Sequence, residues 1–473
     1  MIPLLNKQQL SLFKERFGNK KFFAQALMPI RGPEGFRKLD YEYAKEQLDP
    51  ETIIKKCVDN GFNSFGLVVK DTDGATLADT NVGWNPTGRD LVKEFEELCQ
   101  KYDLVYILSV TNMNDAYRGW KTTDGYLNNG TVSVHMRHTK KHEAGQAAVH
   151  REGEMRVDLP EGVSLEEMMK KIPFLTDEID AEVGAARGAR GKGYVPLTAF
   201  HCPNSDHIDY MMDLINELVR NYQVDGIFAD YIRYDGGYTD LCGCERCRSK
   251  FEEKYPGKEI YKKIGNKFLY SKEWRDFREE SIAAYGKKFN SAIKKADPEC
   301  VTGWFNLPGP KLFTRDRIAQ NYSKLGKTMD SVVPMVYPYL MGTANDGRWW
   351  RFVADVSNWF TKYMMKKRFR EYGDGEIPIL CITNSVECNA EEMLISCMDY
   401  DYGLGISLFK YYGTTDAQWE ACKHYGELLK QQKIGQPAPS KEQVKKILAR
   451  VYEKYPPKNP HLLRWKPSEL DSK

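Results

Sequence analysis

Residues 224–234 read VDGIFADYIRY. Gly226, Ile227, Phe228 and Ala229 form a short apolar run of the kind that lies buried in a parallel sheet. Before it, Ile208, Met211, Met212, Ile215, Leu218, Val219 and Tyr222 recur at helical spacing, which predicts an amphipathic helix feeding a strand. Asp230 stands where the run ends, and Arg233 and Asp235 follow. Parallel α/β proteins bind ligands outside the carboxyl ends of their strands, so a carboxylate here faces the expected site. The plainer reading makes Asp230 a helix cap or the partner of Arg233.

The same alternation extends in both directions. Strands are expected at FFAQAL (22–27), SFGLVV (64–69) and VYILSV (105–110), and later at VTGWFN (301–306), SVVPMVY (331–337), ILCITN (379–384) and ISLFKY (406–411). Helices are expected between them: Asp49–Asn60 with Asp49 as N-cap and Pro50 at the first position, then about 89–102, 271–296, 314–325, 348–369, 391–402 and 415–430. Eight βα units predict a (β/α)8 TIM barrel spanning residues 1–432. VPLTAF (195–200) is left aside as an irregular extra strand. Residues 112–194 break the alternation and read as a functional insertion after strand 3. Residues 240–248 form a Cys-rich loop after strand 4, and 433–473 a Pro-rich tail, packed along the barrel or facing a partner.

The chain has 473 residues, with 69 Lys and Arg against 66 Asp and Glu. A net charge of +3 without a basic block interleaved with aromatics argues against nucleic acid as a partner. No run approaches the roughly 18 apolar residues of a membrane span. The first residues, MIPLLNKQQLSLFKERF, read as an amphipathic helix and not as a secretion signal. Eleven cysteines, an odd number, favour a reducing, cytoplasmic setting, although a chain trimmed of a leader would read the same way. Self-association is left open, and no organic cofactor is called for.

Cys242, Cys244 and Cys247 follow the spacing C-x-C-x-x-C. Three thiols in so tight a turn can converge on one tetrahedral cation, and Zn²⁺ favours thiolate ligands. Cys202 is the expected fourth ligand, with His201 and His207 as substitutes. Four cysteine ligands would make the zinc structural; a redox pair is the rival reading. His135, His138 and His142 fall at i, i+3 and i+7, as solvated histidines near a cleft or, less simply, as ligands of a metal-dependent hydrolase.

The stretch CPNSDHIDYMMDLINELVRNYQVDGIFADYIRY, followed by the cysteine loop and Phe251, resembles glycoside-hydrolase-like barrel families. The cysteine spacing is similar to that of the zinc-loop β-galactosidases. The resemblance covers residues 195–255 specifically and the rest only in architecture. In the related α-fucosidase and α-galactosidase barrels the Asp ending the fourth strand is the nucleophile, and Asp230 matches that position. This chain carries Ala229-Asp230-Tyr231 where fucosidases typically show Asp-Gly, so the sugar does not transfer with the fold.

The resemblance implies a carbohydrate substrate and a two-carboxylate cleavage of its glycosidic bond. Asp230 is expected as nucleophile, helped into its ionised form by Arg233, with Glu387 as general acid/base in a retaining reaction. The sixth strand ends without a carboxylate, unlike that of the α-galactosidases. Reserves for the second carboxylate are Asp235, Asp71 and Asp73, and more remotely Asp416. Asn112, His201, Arg233, Asn306, Tyr337, Asn384 and Lys410 are expected with them around the substrate. Trp304 and Trp349 are candidates for a stacking floor. A carbohydrate-binding barrel without catalysis is the alternative.

Overall fold

The computed structural model describes residues 20–30, 40–115, 201–234, 242, 245–264, 267–307, 312–336, 380–384, 389–400, 404–434 and most of 439–470. Eight parallel strands close into a barrel: β1 (Phe22–Leu27), β2 (Ser64–Lys70), β3 (Val105–Thr111), β4 (Gly226–Asp230), β5 (Val301–Asn306), β6 (Ser331–Val336), β7 (Leu380–Asn384) and β8 (Gly405–Phe409). Each strand lies beside its neighbour in sequence, and β8 returns to β1 through pairs such as Phe22 with Gly405.

The strands are apolar on both faces because both faces are covered. Phe22, Ala26, Ile107, Phe228, Val301, Phe305, Val333, Met335 and Phe409 fill the barrel interior. Their alternates, among them Phe23, Leu27, Phe65, Leu67, Leu108, Ile227, Trp304 and Leu408, pack with the surrounding helices. Closure imposes one strict backbone demand. Gly405 has φ +130°, and a Cβ there would sit 2.0 Å from the Phe22 carbonyl oxygen. Only glycine fits that seam.

The helices begin where local chemistry starts them. In α1 (Pro50–Asp59), Asp49 accepts from the Glu51 N–H at 3.1 Å and Pro50 occupies the first turn. Asp90 caps α2 (Leu91–Lys101), accepting from Lys93 N at 3.0 Å. The helix α3 (His207–Asn221) feeds β4, as the apolar spacing requires. After β4 come α4 (Glu245–Lys254) and α5 (Lys272–Ala296), the latter capped by Ser271.

One element was not anticipated, and one local expectation is corrected. An antiparallel hairpin, Tyr261–Ile264 with Lys267–Tyr270, stands between α4 and α5. The helix expected over 314–325 is split into Leu312–Arg317 and Tyr322–Leu325. Ala319 takes a left-handed φ of 56° at the break, which an α-helix cannot absorb. Gln320 then turns inward to bond Phe305 O at 3.0 Å and Leu307 N at 3.1 Å. The helix expected at 348–369 lies outside the described residues.

Beyond β7 and β8 lie α6 (Ala390–Tyr400) and α7 (Asp416–Leu429), and α8 (Lys441–Lys454) packs across both. Arg464 then forks onto Glu392 at 2.9 and 3.0 Å, while Glu391 accepts from the backbone N–H groups of Arg464 and Trp465. The described part of the tail is therefore fastened along the barrel.

Candidate active site

Asp230 ends β4 at the carboxyl mouth of the barrel, level with Thr111 of β3. The next residue, Tyr231, holds φ +55°, a strained value for a side chain with a Cβ. That turn aims the Tyr231 N–H at Asp230 Oδ1, 2.7 Å away. Arg233 lies folded back over the Tyr231 ring at 4.2 Å and is almost wholly buried.

Burial pushes the Asp230 carboxyl up to about 6; the Arg233 charge and the Tyr231 N–H pull it down, and the like charge of Asp71 pushes it further up. Arg233 favours the ionised form in the expected direction without returning Asp230 to its ordinary value. Loss of water around the carboxylate outweighs one nearby guanidinium.

Asp71 and Asp73 sit on a tight turn following β2, where Gly74 supplies φ +92°. Thr72 N donates to Asp71 Oδ1 at 2.6 Å, and Gly74 N donates to the Asp71 carbonyl at 3.1 Å. Asp73 accepts from the Tyr41 hydroxyl and from Ala75 N, and both aspartates are buried. Lys70, just before the turn, pairs with Asp115 at 3.0 Å and donates to the Thr111 carbonyl at 3.1 Å.

Asn112 and His201 occupy supporting places. Asn112 Nδ2 donates to the carbonyls of Val110 at 2.7 Å and Asp230 at 3.1 Å, clipping the ends of β3 and β4 together. His201 is fully buried, its ring stacked on His207 at 3.8 Å. Its Nε2 lies 2.9 Å from the Asp115 carbonyl, and His207 Nε2 lies 2.8 Å from that of Asn112. Neither histidine carries a tautomer signal in the sequence, because these partners are remote.

Asn306 ends β5 fully buried, with neither amide atom hydrogen-bonded among the described residues. Lys410 follows β8, also buried. Asn384 ends β7 beside Phe409 by backbone register. Trp304 is buried against Tyr322 among the outer helices, so it belongs to the core and not to a stacking floor. Asp416 is exposed at the start of α7. Glu387, Asp235, Tyr337, Trp349, His135, His138 and His142 lie outside the described residues.

Below the β4 exit, the sulfurs of Cys202, Cys242 and Cys247 all lie within 4.8 Å of one another, and all three residues are buried. Cys202 and Cys247 approach to 3.3 Å between sulfurs. Ligands about 2.3 Å from a tetrahedral zinc stand roughly 3.8 Å apart, so the cluster needs little adjustment to close on an ion. Asn204 directs its backbone N–H at Cys202 Sγ (3.4 Å) and its side-chain amide at Cys247 Sγ (3.3 Å), donors that suit thiolates. The cluster can hold a metal ion. Cys244 lies outside the described residues. The described cysteines are buried and free of disulfides.

No protein-family model matches the chain. One stretch is 27% identical over 128 residues to an S-layer-related protein of Niallia circulans, covering 24% of this chain and 8% of that protein. Among solved structures, α-L-fucosidase isoenzyme 2 from Paenibacillus thiaminolyticus aligns with a TM-score of 0.50 at 14% identity, over 86% of this chain and 49% of the fucosidase. The PgaB (BpsB) glycoside hydrolase domain from Bordetella bronchiseptica aligns with a TM-score of 0.50 at 10% identity, over 87% of this chain and 98% of that domain. The chain spans about half the length of that fucosidase. Among the described residues no helix is long and apolar enough to cross a membrane. Identities this low carry the fold alone, and the fold is the (β/α)8 barrel found in glycoside hydrolases.

Proposed function

We propose that this chain is a glycoside hydrolase that cleaves a carbohydrate with retention, using Asp230 as nucleophile and Glu387 as general acid/base. The observation that carries the reading is Asp230 itself: a half-buried carboxylate at the mouth of the barrel, raised by desolvation and held by its neighbour's N–H. In this reading the Asp230 carboxylate attacks the anomeric carbon while Glu387 protonates the departing oxygen. Water then releases the sugar from the glycosyl ester, with Glu387 taking the water's proton. Asp230 must be ionised to attack, and a carboxyl titrating at about 6 is about nine-tenths ionised at pH 7. Such a carboxylate is also more basic, and hence more nucleophilic, than an ordinary one.

The metal of this reading is zinc, held by Cys202, Cys242, Cys244 and Cys247. With no open coordination position it would fix the loop after β4 and supply no chemistry to the substrate.

The test is a panel of aryl glycosides with wild type and Asp230→Asn, together with trapping by a 2-fluoro glycoside and mapping of the labelled peptide. Turnover by wild type, its loss in Asp230→Asn and a label on Asp230 are expected. An active Asp230→Asn variant, or a label elsewhere, would sink the assignment. Binding of sugars without turnover would favour a carbohydrate-binding barrel instead.

A further inference from the structure

Asp71 takes no part in the cleavage just described, yet it is fixed beside its nucleophile. Lys70 pairs with Val110 of β3, and the next β3 residue, Thr111, pairs with Asp230. Asp71 and Asp230 therefore leave the barrel at one level, on either side of β3. Strands are about 4.8 Å apart, which places the two backbones roughly 10 Å apart across the mouth.

The turn carrying Asp71 is held at several points. Its own N–H donates to the Ala75 carbonyl at 3.3 Å, Thr72 N donates to Oδ1 and Gly74 N to its carbonyl. Asp71 is 3% exposed. A carboxylate fastened in this way cannot swing out to water when a second charge forms nearby.

We propose that Asp71 and Asp230 work as a coupled carboxylate pair, in which Asp71 is a positioning residue acting through Asp230 and not on the substrate. The inference rests on the reading of Asp230 as nucleophile. Two carboxylates that sense each other lose their protons in two steps. The charge of Asp71 raises the proton affinity of Asp230. Among the described residues, the other charge acting on Asp230 is that of Arg233, which opposes Asp71. Lys70 is occupied by Asp115, just beyond the neighbouring strand β3. The chemical gain is a nucleophile with more electron density to give, kept ionised at neutral pH by Arg233 and the Tyr231 N–H.

The experiment measures kcat/KM against pH for wild type, Asp71→Asn, Asp71→Ser and Asp71→Glu. Asn and Ser keep an oxygen for the Thr72 N–H while removing the charge; Glu keeps the charge. The acid limb, near 6 in wild type, should move down by roughly half a pH unit or more in the two neutral variants and stay in place in Asp71→Glu. A second readout needs no substrate. The melting-temperature difference between wild type and Asp230→Asn, followed from pH 4 to 8, titrates Asp230 directly. Repeated in whichever neutral Asp71 background folds, its midpoint should fall by the same amount. Limb and midpoint both unchanged would overturn the pair. If wild type cleaves no glycoside, the cleavage reading fails by itself and the thermal titration decides the pair alone.

Discussion

Lys70 and Asp115 meet at 3.0 Å with neither side chain exposed to solvent. Both charges have lost their water, and their mutual attraction repays that loss only while both are present. Lys70→Met alone should cost about 3–5 kcal/mol, because it strands a buried carboxylate. Lys70→Met with Asp115→Leu should recover most of the loss. Denaturant midpoints of the two variants decide the matter; a single variant as stable as wild type would mean that water reaches the pair.

Asp230 gives the fold a pH dependence of unusual sign. Its folded value of about 6 lies above the roughly 3.9 of an unfolded aspartate, so between those values the folded chain binds more protons. This contribution to stability is present below about pH 4 and is lost as pH rises through 6. Asp230→Asn should therefore melt with wild type at pH 4 and above it at pH 7, by at most about 3 kcal/mol. Equal melting temperatures across the range would show that solvent or a moving neighbour relieves the burial.

The thiol cluster predicts about one zinc per chain. Cys247→Ser should remove most of the bound metal, and a strong chelator should lower the melting temperature of wild type but not of the variant. Metal analysis and thermal scans suffice. Protein that is metal-free as purified and melts unchanged after Cys247→Ser would rule the site out.

Gly405→Ala tests the barrel seam. The added Cβ would overlap the Phe22 backbone, which has no free end to yield, so a loss of more than about 4 kcal/mol is expected. Soluble, native-like protein by circular dichroism would mean that β1 and β8 can part locally without loss of the barrel.

The barrel was legible because its strands are covered on both faces, which leaves continuous apolar runs such as SFGLVV punctuated by capped helices. Asp230 was legible for the same reason, as the first charge after such a run. What escaped depends on neighbours remote in sequence. The proton affinity of Asp230 follows from desolvation in the folded barrel, which outweighs its sequence neighbour Arg233. Nothing near Asn112 in the sequence announces the carbonyls it clips. The hairpin was hidden by its lysines, although Gly265-Asn266 between YKKI and KFLY was an available turn signal.

Met113 and His201, far apart in sequence, meet beyond the end of β3: the His201 N–H donates to the Met113 carbonyl at 2.7 Å, and two stacked imidazoles close over the carbonyls of Asn112 and Asp115. The two stretches are joined there as closely as neighbouring strands. The placement of β3, β4 and Asp230 is thus reinforced here by contacts between residues 112–115 and 201–207, alongside the β3–β4 ladder itself.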